Sequence, residues 1–495
     1  GAQGERPKIA PSERDKAGFM GLPRRQPFPA RMLQLLLAST AYVVAQEYGD
    51  QVVVCLTPAD EAAARAIREL ESSNDMNFWS EPGLPGSRTD IMLSRDRAGE
   101  LLPRLALLGV EGRICIEDLQ ALVDAERRPL SSRFSRSQAQ AFHAEYHTGE
   151  ELLQYFVGTV VPAHSNTAST FSIGTTHEGR DLRVIRVTGG AKATEGGLPS
   201  PNGLPAVWAQ SLIHAREHLA GASLAYAVDE ILTQYGVETW ATNLVDRFDL
   251  YFLLVANPDG YSFSFSSGNR FWRKNRAPNA GSFCVGTDLN RNFNYFWGTA
   301  GVGSSPCSDV YAGAAPASEA EAAAIQDFIS GFGASHFIMV VDVHTYGQKV
   351  LYPWGYTYAA SPDAAEQGDV AGKVTAAIEC VAGASFDHGP SAATIYPTSG
   401  DITDWAYGAM GITHVMTIEG RDLGRNGFVA PPELIVPAGR EILSGLVVGA
   451  QYIREPASAD LLPDAFCRPA LREAPPPPPA RCRLDCWLRG FTDCR

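Results

Sequence analysis

The sequence predicts an α/β protein in two parts: a small α+β unit over 46–126 and a larger α/β unit over 142–455. Three observations predict it. Upstream, short apolar strands alternate with short helical patterns. Downstream, three strongly apolar segments, DLYFLLVANP (249–258), HFIMVVDVH (336–344) and THVMTIEG (413–420), are separated by helical patterns and long loops, as in a largely parallel or mixed sheet covered by helices. Polar motifs stand where those strands end, which is where open α/β sheets bind their ligands.

Taken in order, residues 1–31 form an upstream extension on which no structure is built. Met32 and the apolar run 33–45 (LQLLLASTAYVVA), preceded by Arg24, Arg25 and Arg31, read as a signal peptide, with Val43 and Ala45 placed for cleavage before Gln46. The small unit follows: a strand at 51–57, a helix over 60–72, a strand near 90–93, a helix over 95–108, a strand at 113–116 and a helix-like stretch over 117–128. Residues 127–141 carry Arg127, Arg128, Arg133 and Arg136 among Pro, Ser and Gln without apolar periodicity. This reads as an exposed linker open to a trypsin-like protease. After the large unit, residues 456–495 run through five consecutive prolines, a stiff spacer, into a tail with a dense group of cysteines.

Composition narrows the function. At 495 residues the chain has room for a sizeable core, and it has no apolar run of the length a membrane span requires. A net charge of −14 argues against nucleic acid, whose binding depends on Lys and Arg displacing counterions. Neither nucleic acid nor a membrane is therefore expected as a partner. Nine cysteines are too few for a disulfide scaffold of this length and, being odd in number, cannot all pair within the chain.

The segment LIHAREH (212–218) follows an apolar strand and precedes a helical pattern. His214 and Glu217 can converge from a strand end and a helix start, and an imidazole with a carboxylate suits zinc. His344, at the end of the HFIMVVDVH strand, offers a third ligand. The same residues also fit an inverted HxxEH zinc site, with His214 and His218 as ligands and Glu217 as base. In the first arrangement Glu217 is a ligand and a separate base is required; in the second a further glutamate ligand is required.

Four more segments, RFWRKNR (270–276), TDLNRNF (287–293), IYPTSGDITDW (395–405) and IEGRDLGRNGF (418–428), together with HARE and His344, resemble the carboxypeptidase A family of zinc metallocarboxypeptidases over roughly 142–455. Upstream, DMNFWSEPGLPGSRTDIML (75–93) and IEDLQALVDAER (116–127) resemble that family's activation propeptide. The resemblance implies a mixed, twisted, eight-stranded sheet flanked by helices, preceded by an open antiparallel sandwich. It implies one zinc per chain, held by His214, Glu217 and His344, with Glu419 as the general base and Arg273 beside the scissile carbonyl. Asp288 matches a residue that orients a ligand histidine, and Arg291 matches the anchor for the substrate's terminal carboxylate, with Asn290 and Tyr396 beside it. Arg216, Tyr346 and Phe428 match subsites for residues further upstream in the substrate, and Cys284 and Cys307 match a family disulfide.

Thr403, two residues before Trp405, matches the position that sets side-chain preference. With Ser391, Ile395 and Gly355 nearby it points to apolar or aromatic C-terminal residues, while Asp401 in the same loop keeps a basic preference as the alternative. The resemblance thus implies a secreted zymogen that hydrolyses the C-terminal bond of peptides and proteins and is activated by a trypsin-like protease. A catalytically silent peptide-binding homologue is the alternative from another class. The family usually has Trp where His218 stands, and no tail like this one.

Overall fold

The computed structural model describes residues 47–72, 76–80, 82–128, 138–189, 203–333 and 335–456. The signal peptide, the linker arginines 133 and 136, and the cysteine-bearing tail lie outside them.

The small unit is a four-stranded sheet in the order β2-β3-β1-β4, every pairing antiparallel. Its strands are β1 (Gln51–Pro58), β2 (Asn77–Phe78), β3 (Thr89–Ser94) and β4 (Val110–Ile116). Its helices are α1 (Glu61–Arg68), α2 (Arg95–Ala106) and α3 (Leu119–Glu126). Each begins at a side-chain cap the sequence supplies: Asp60 accepts from Ala63 N, Ser94 from Arg97 N, and Asp118 from Ala121 N. Alternating apolar residues of β1 bury Val52, Val54 and Leu56 against α1 and α2. A disulfide between Cys55 and Cys115, which the sequence did not single out, ties β1 to β4. It closes a loop of 60 residues, which contributes about 4 kcal/mol if chain entropy governs.

The large unit is an eight-stranded mixed sheet, β11-β10-β12-β9-β7-β8-β6-β5. It comprises β5 (Ala168–Thr175), β6 (Asp181–Val187), β7 (Ala206–Ser211), β8 (Asp249–Leu253), β9 (Phe337–Thr345), β10 (Lys349–Tyr352), β11 (Asp387–Pro390) and β12 (His414–Gly420). The central run β12-β9-β7-β8 is parallel, and the β5, β6 edge is antiparallel. One face packs on α4 (His218–Gln234), α5 (Thr239–Arg247), α7 (Ala364–Ala382) and α9 (Ile435–Arg454); the other on α6 (Ala320–Ser330) and α8 (Ile402–Gly408).

Period-two alternation divides β9 between these cores. Met339, Val341 and Val343 join the first, and Val340 the second. Asp342 and His344 therefore fall on the Val340 face, at the carboxyl end of the central strand. Glu419 is paired with His344 across the parallel β9–β12 contact, so register alone brings these two together. The last residues of the expected linker belong to a helical turn over Gln138–Phe142.

Candidate active site

His214 lies three residues beyond β7, where the chain must leave the sheet and turn into α4. Leu212 makes that turn in the left-handed region, φ 56°, with its side chain buried. Gly221 on α4 makes room for it: a Cβ there would stand 2.3 Å from Leu212 Cδ1. Asn257 secures the same corner, donating to Ile213 O and capping the next helical turn through Gly260 N. Glu217 occupies the N-cap of α4 but makes no side-chain cap, because its carboxylate turns into the site.

There, Glu217 Oε1 is 2.7 Å from His214 Nδ1 and Oε2 is 3.0 Å from His344 Nδ1, with Thr345 N donating to Oε2 at 3.3 Å. The other ring nitrogens are held by carboxylates: His214 Nε2 by Asp288 at 3.1 Å and His344 Nε2 by Asp342 at 2.7 Å. A carboxylate only accepts, so both Nε2 atoms carry hydrogen, and each Nδ1 faces Glu217 as the atom that would offer its lone pair to a cation bound there. One ligand atom from each of His214, Glu217 and His344 lies within 4.8 Å of the others, and all three residues are buried. Two imidazole nitrogens and a carboxylate brought this close together fit zinc. Burial opposes ionisation of Glu217, but His214 and His344 outweigh it and hold the carboxyl well below the usual range.

His218, which the inverted site would need as a ligand, is the first residue of α4. Its Nε2 is 2.8 Å from Ser264 Oγ, and its ring stacks on Phe265. Burial, with Arg270 and Arg127 adding, keeps it neutral.

Asp288 links the metal group to the arginines. Its Oδ2 accepts from Arg273 Nε and Nη2 at 3.0 and 2.8 Å, and its Oδ1 from Asn290 N as well as from His214. Burial raises its pKa, but Arg273, His214 and Arg291 outweigh this and hold it ionised. Arg291 is aimed by Gly301 O and Asn290 O, at 2.9 and 3.0 Å. Asn290 is fixed by Ile402 N at the start of α8. Glu419 has its pKa pushed up to about 8, by burial first and by the Glu217 and Asp342 carboxylates, against His344 and Arg273.

His214, Glu217, His344, Glu419, Arg273, Asn290, Arg291, Tyr346, Tyr396, Thr403 and Phe428 line one cavity of about 340 Å³. Asp288 and Arg216 do not line it: Asp288 holds Arg273 and His214, and the Arg216 guanidinium lies over the Phe428 ring at 4.4 Å. The cavity's other wall comes from the small unit: Trp79, Ser80, Gly83, Ser87, Arg88 and Asp90. Trp79 packs against Phe271 and Phe428, with ring centroids 5.0 and 5.2 Å apart. Arg216 donates to Asn77 Oδ1 and Phe78 O, and Tyr346 OH to Asp90. At the end of α3, Glu126 takes a two-point ion pair from buried Arg270 at 2.6 and 2.5 Å. Reasoning from the sequence did not pick out Asp342, Arg270, Glu126 or Trp79. Only Asp342 carried a local signal, the Asp-x-His spacing that shares one strand face.

A His-Glu-His group at parallel strand ends, with a carboxyl in register and buried arginines beside it, is the equipment of a metal-dependent hydrolase. Comparison with known proteins narrows that class. The zinc carboxypeptidase family matches residues 153–445, and the carboxypeptidase activation peptide matches 55–126. Carboxypeptidase A1 of Bos taurus is 35% identical over 407 residues, 81% of this chain and 93% of that protein. Carboxypeptidase A2 of Mus musculus is 34% identical over 431 residues, 86% and 99% of the two. Among solved structures, thrombin activatable fibrinolysis inhibitor aligns with a TM-score of 0.72 at 26% identity, covering 82% of this chain and all of that one. Carboxypeptidase A from Helicoverpa armigera gives 0.72 at 26%, covering 83% and 99%. The chain belongs to the zinc carboxypeptidase family and, with its activation peptide, is the zymogen of a metallocarboxypeptidase.

The sequence-based expectations of eight strands, a mixed sheet, a His-Glu-His metal group and an antiparallel activation unit agree with these findings. The Cys284–Cys307 disulfide is present, with Cα atoms 5.0 Å apart.

Proposed function

We propose that the chain is a secreted procarboxypeptidase whose residues divide the reaction as follows. His214, Glu217 and His344 hold zinc, which when bound supplies a Lewis acid for carbonyl hydrolysis. Glu419 takes a proton from the attacking water and delivers it to the leaving amine. Arg273, held in place by Asp288, stabilises the charge that develops on the scissile carbonyl oxygen. Arg291, with Asn290 and Tyr396, anchors the free α-carboxylate, and this confines hydrolysis to the last residue. The observation that carries this reading is that the three metal ligands, Glu419 and Arg291 face one cavity. Retention of every one of these groups speaks against a silent peptide-binding homologue.

Arg216, Tyr346 and Phe428 serve substrate residues further from the C-terminus, and the activation unit occupies those three in the precursor. Release by a trypsin-like protease follows from the linker arginines, of which Arg127 and Arg128 are exposed just beyond α3. Secretion is supported by the Cys55–Cys115 and Cys284–Cys307 disulfides. Among the described residues no helix is long and apolar enough to cross a membrane.

For the C-terminal side chain we favour apolar and aromatic residues. Leu351, Thr394, Ile395 and Thr403 line the pocket. The Asp401 carboxylate in its wall is already engaged by Thr403 Oγ1, Asp404 N and Thr398 Oγ1, and burial raises its pKa towards the neutral form. Gly355 does not line the cavity but packs behind it, where a Cβ would stand 2.7 Å from Thr398 Oγ1 and 2.8 Å from Asp401 Oδ2. The same carboxylate favours a second reading, a basic preference. Blocked dipeptides ending in Phe, Leu, Lys or Arg distinguish the two in the linker-cleaved, zinc-loaded protein. Faster release of Phe or Leu is expected. Faster release of Lys or Arg would overturn the apolar preference in favour of the basic one, and hydrolysis of none would overturn the enzyme assignment.

A further inference from the structure

The two histidines of the metal group lean on carboxylates of different kinds. Asp288 is balanced by Arg273, 2.8 Å away, and also faces Arg291 at 4.0 Å. Asp342 is fully buried on β9, and its ion pairing among the described residues runs to His344 alone. Its Oδ1 accepts from Gln210 Nε2 at 3.1 Å, and Gln210 is in turn fixed by Trp208 Nε1 at 3.0 Å. The sheet explains this row. Trp208 and Gln210 share a face of β7, Gln210 is in register with Asp342 on β9, and His344 follows two residues later on the same face. A neutral amide thus holds the outer oxygen of Asp342, and its inner oxygen sits 2.7 Å from His344 Nε2.

We propose that Asp342 is a positioning residue for the metal. It fixes the His344 ring with Nε2–H outward and Nδ1 toward Glu217, and its charge, balanced by no arginine of its own, strengthens His344 as a ligand. Zinc would then be held through two carboxylate–histidine pairs, one on either side of Glu217, and the Asp342 pair would be the more strongly coupled to the cation. The inference rests on His344 being a ligand, as proposed above. Its consequence for the metal can be read apart from stability. Removing the charge weakens metal binding in a chain that is still folded, although the metal-free fold also loses a buried ion pair and with it some stability.

The test uses the full zymogen chain, with Asp342→Asn, which keeps the shape but has one oxygen for the two donors Gln210 Nε2 and His344 Nε2–H, and Asp342→Ser. Zinc affinity is measured by competition with a chromogenic chelator, and thermal unfolding is followed in excess EDTA. Both variants are expected to lose affinity about 10- to 100-fold at a temperature where their melts in EDTA show them still folded. Wild-type affinity in a folded variant would overturn the proposal. So would failure of both variants to fold in EDTA, since that would make Asp342 a purely structural residue. His344→Ala is run alongside: it is expected to lose zinc, and retention of zinc by that variant would instead overturn the ligand set itself.

Discussion

Glu419 and His344 stand opposite one another on neighbouring parallel strands, so the proposed base and the proposed ligand are placed by hydrogen-bonded register rather than by a loop. That rigidity gives a sharp expectation. Glu419→Gln removes the proton acceptor without touching the metal ligands, so kcat should fall by about 10²- to 10⁴-fold while zinc stoichiometry stays at one per chain. Steady-state kinetics paired with metal analysis checks it, and loss of zinc along with activity would assign Glu419 to the ligand set. At this scale the sequence was legible where motifs are local and ambiguous where geometry decides. HARE followed by His218 allowed two zinc sites. The fold separates them because α4 starts at His218, so His214 sits in the turn before the helix and the two rings diverge. Asp342 was visible as Asp-x-His, but its role depends on a contact made through the ring of another residue.

Among elements, the buried strands β7, β8, β9 and β12 were readable because a strand covered on both faces is a continuous apolar run. The edges were not. β11 is DHGP, a composition that signals a turn, and it pairs in parallel with β10 only because an edge position tolerates proline. β2 has two residues and no pattern at all. Helix α6 carries a prediction of its own. Glu321, in its first turn, is fully buried. Desolvation, with Asp259 and Glu319 adding, pushes its pKa up to about 7, while Asn275 opposes. A carboxyl whose folded pKa is raised contributes its full stability below the unfolded value of about 4.5 and loses it as pH climbs through about 7. Between pH 5 and pH 8 the wild type should therefore lose more stability than Glu321→Gln, by roughly 2–3 kcal/mol. Urea unfolding at the two pH values reads this directly, and equal losses would contradict it.

Over the whole molecule, the activation unit and the enzyme share a core. Tyr48, Val53, Trp79, Ile116, Leu119 and Val123 of the small unit pack with Phe271, Phe428 and Val429 of the large one. The Glu126–Arg270 pair closes the end of that interface next to the linker, so a cut beyond α3 breaks the covalent tie while the ion pair and the aromatic contacts still have to dissociate. None of this was legible in the sequence beyond the family likeness, because the contacts join residues far apart: Arg216 with Asn77 at a separation of 139, Arg270 with Glu126 at 144 and Tyr346 with Asp90 at 256. We propose that these contacts mask the zinc-dependent site until the linker is cut. Mass spectrometry would follow a peptide ending in free Phe and its C-terminal amide, exposed to the intact chain and to the trypsin-cleaved chain, with EDTA and with zinc restored. The cleaved chain should shorten only the free-acid peptide, lose that activity in EDTA and regain it with zinc, while the intact chain is far slower. Equal shortening of the amide, or activity that survives complete removal of zinc, would rule out a zinc-dependent carboxypeptidase anchored on the free carboxylate.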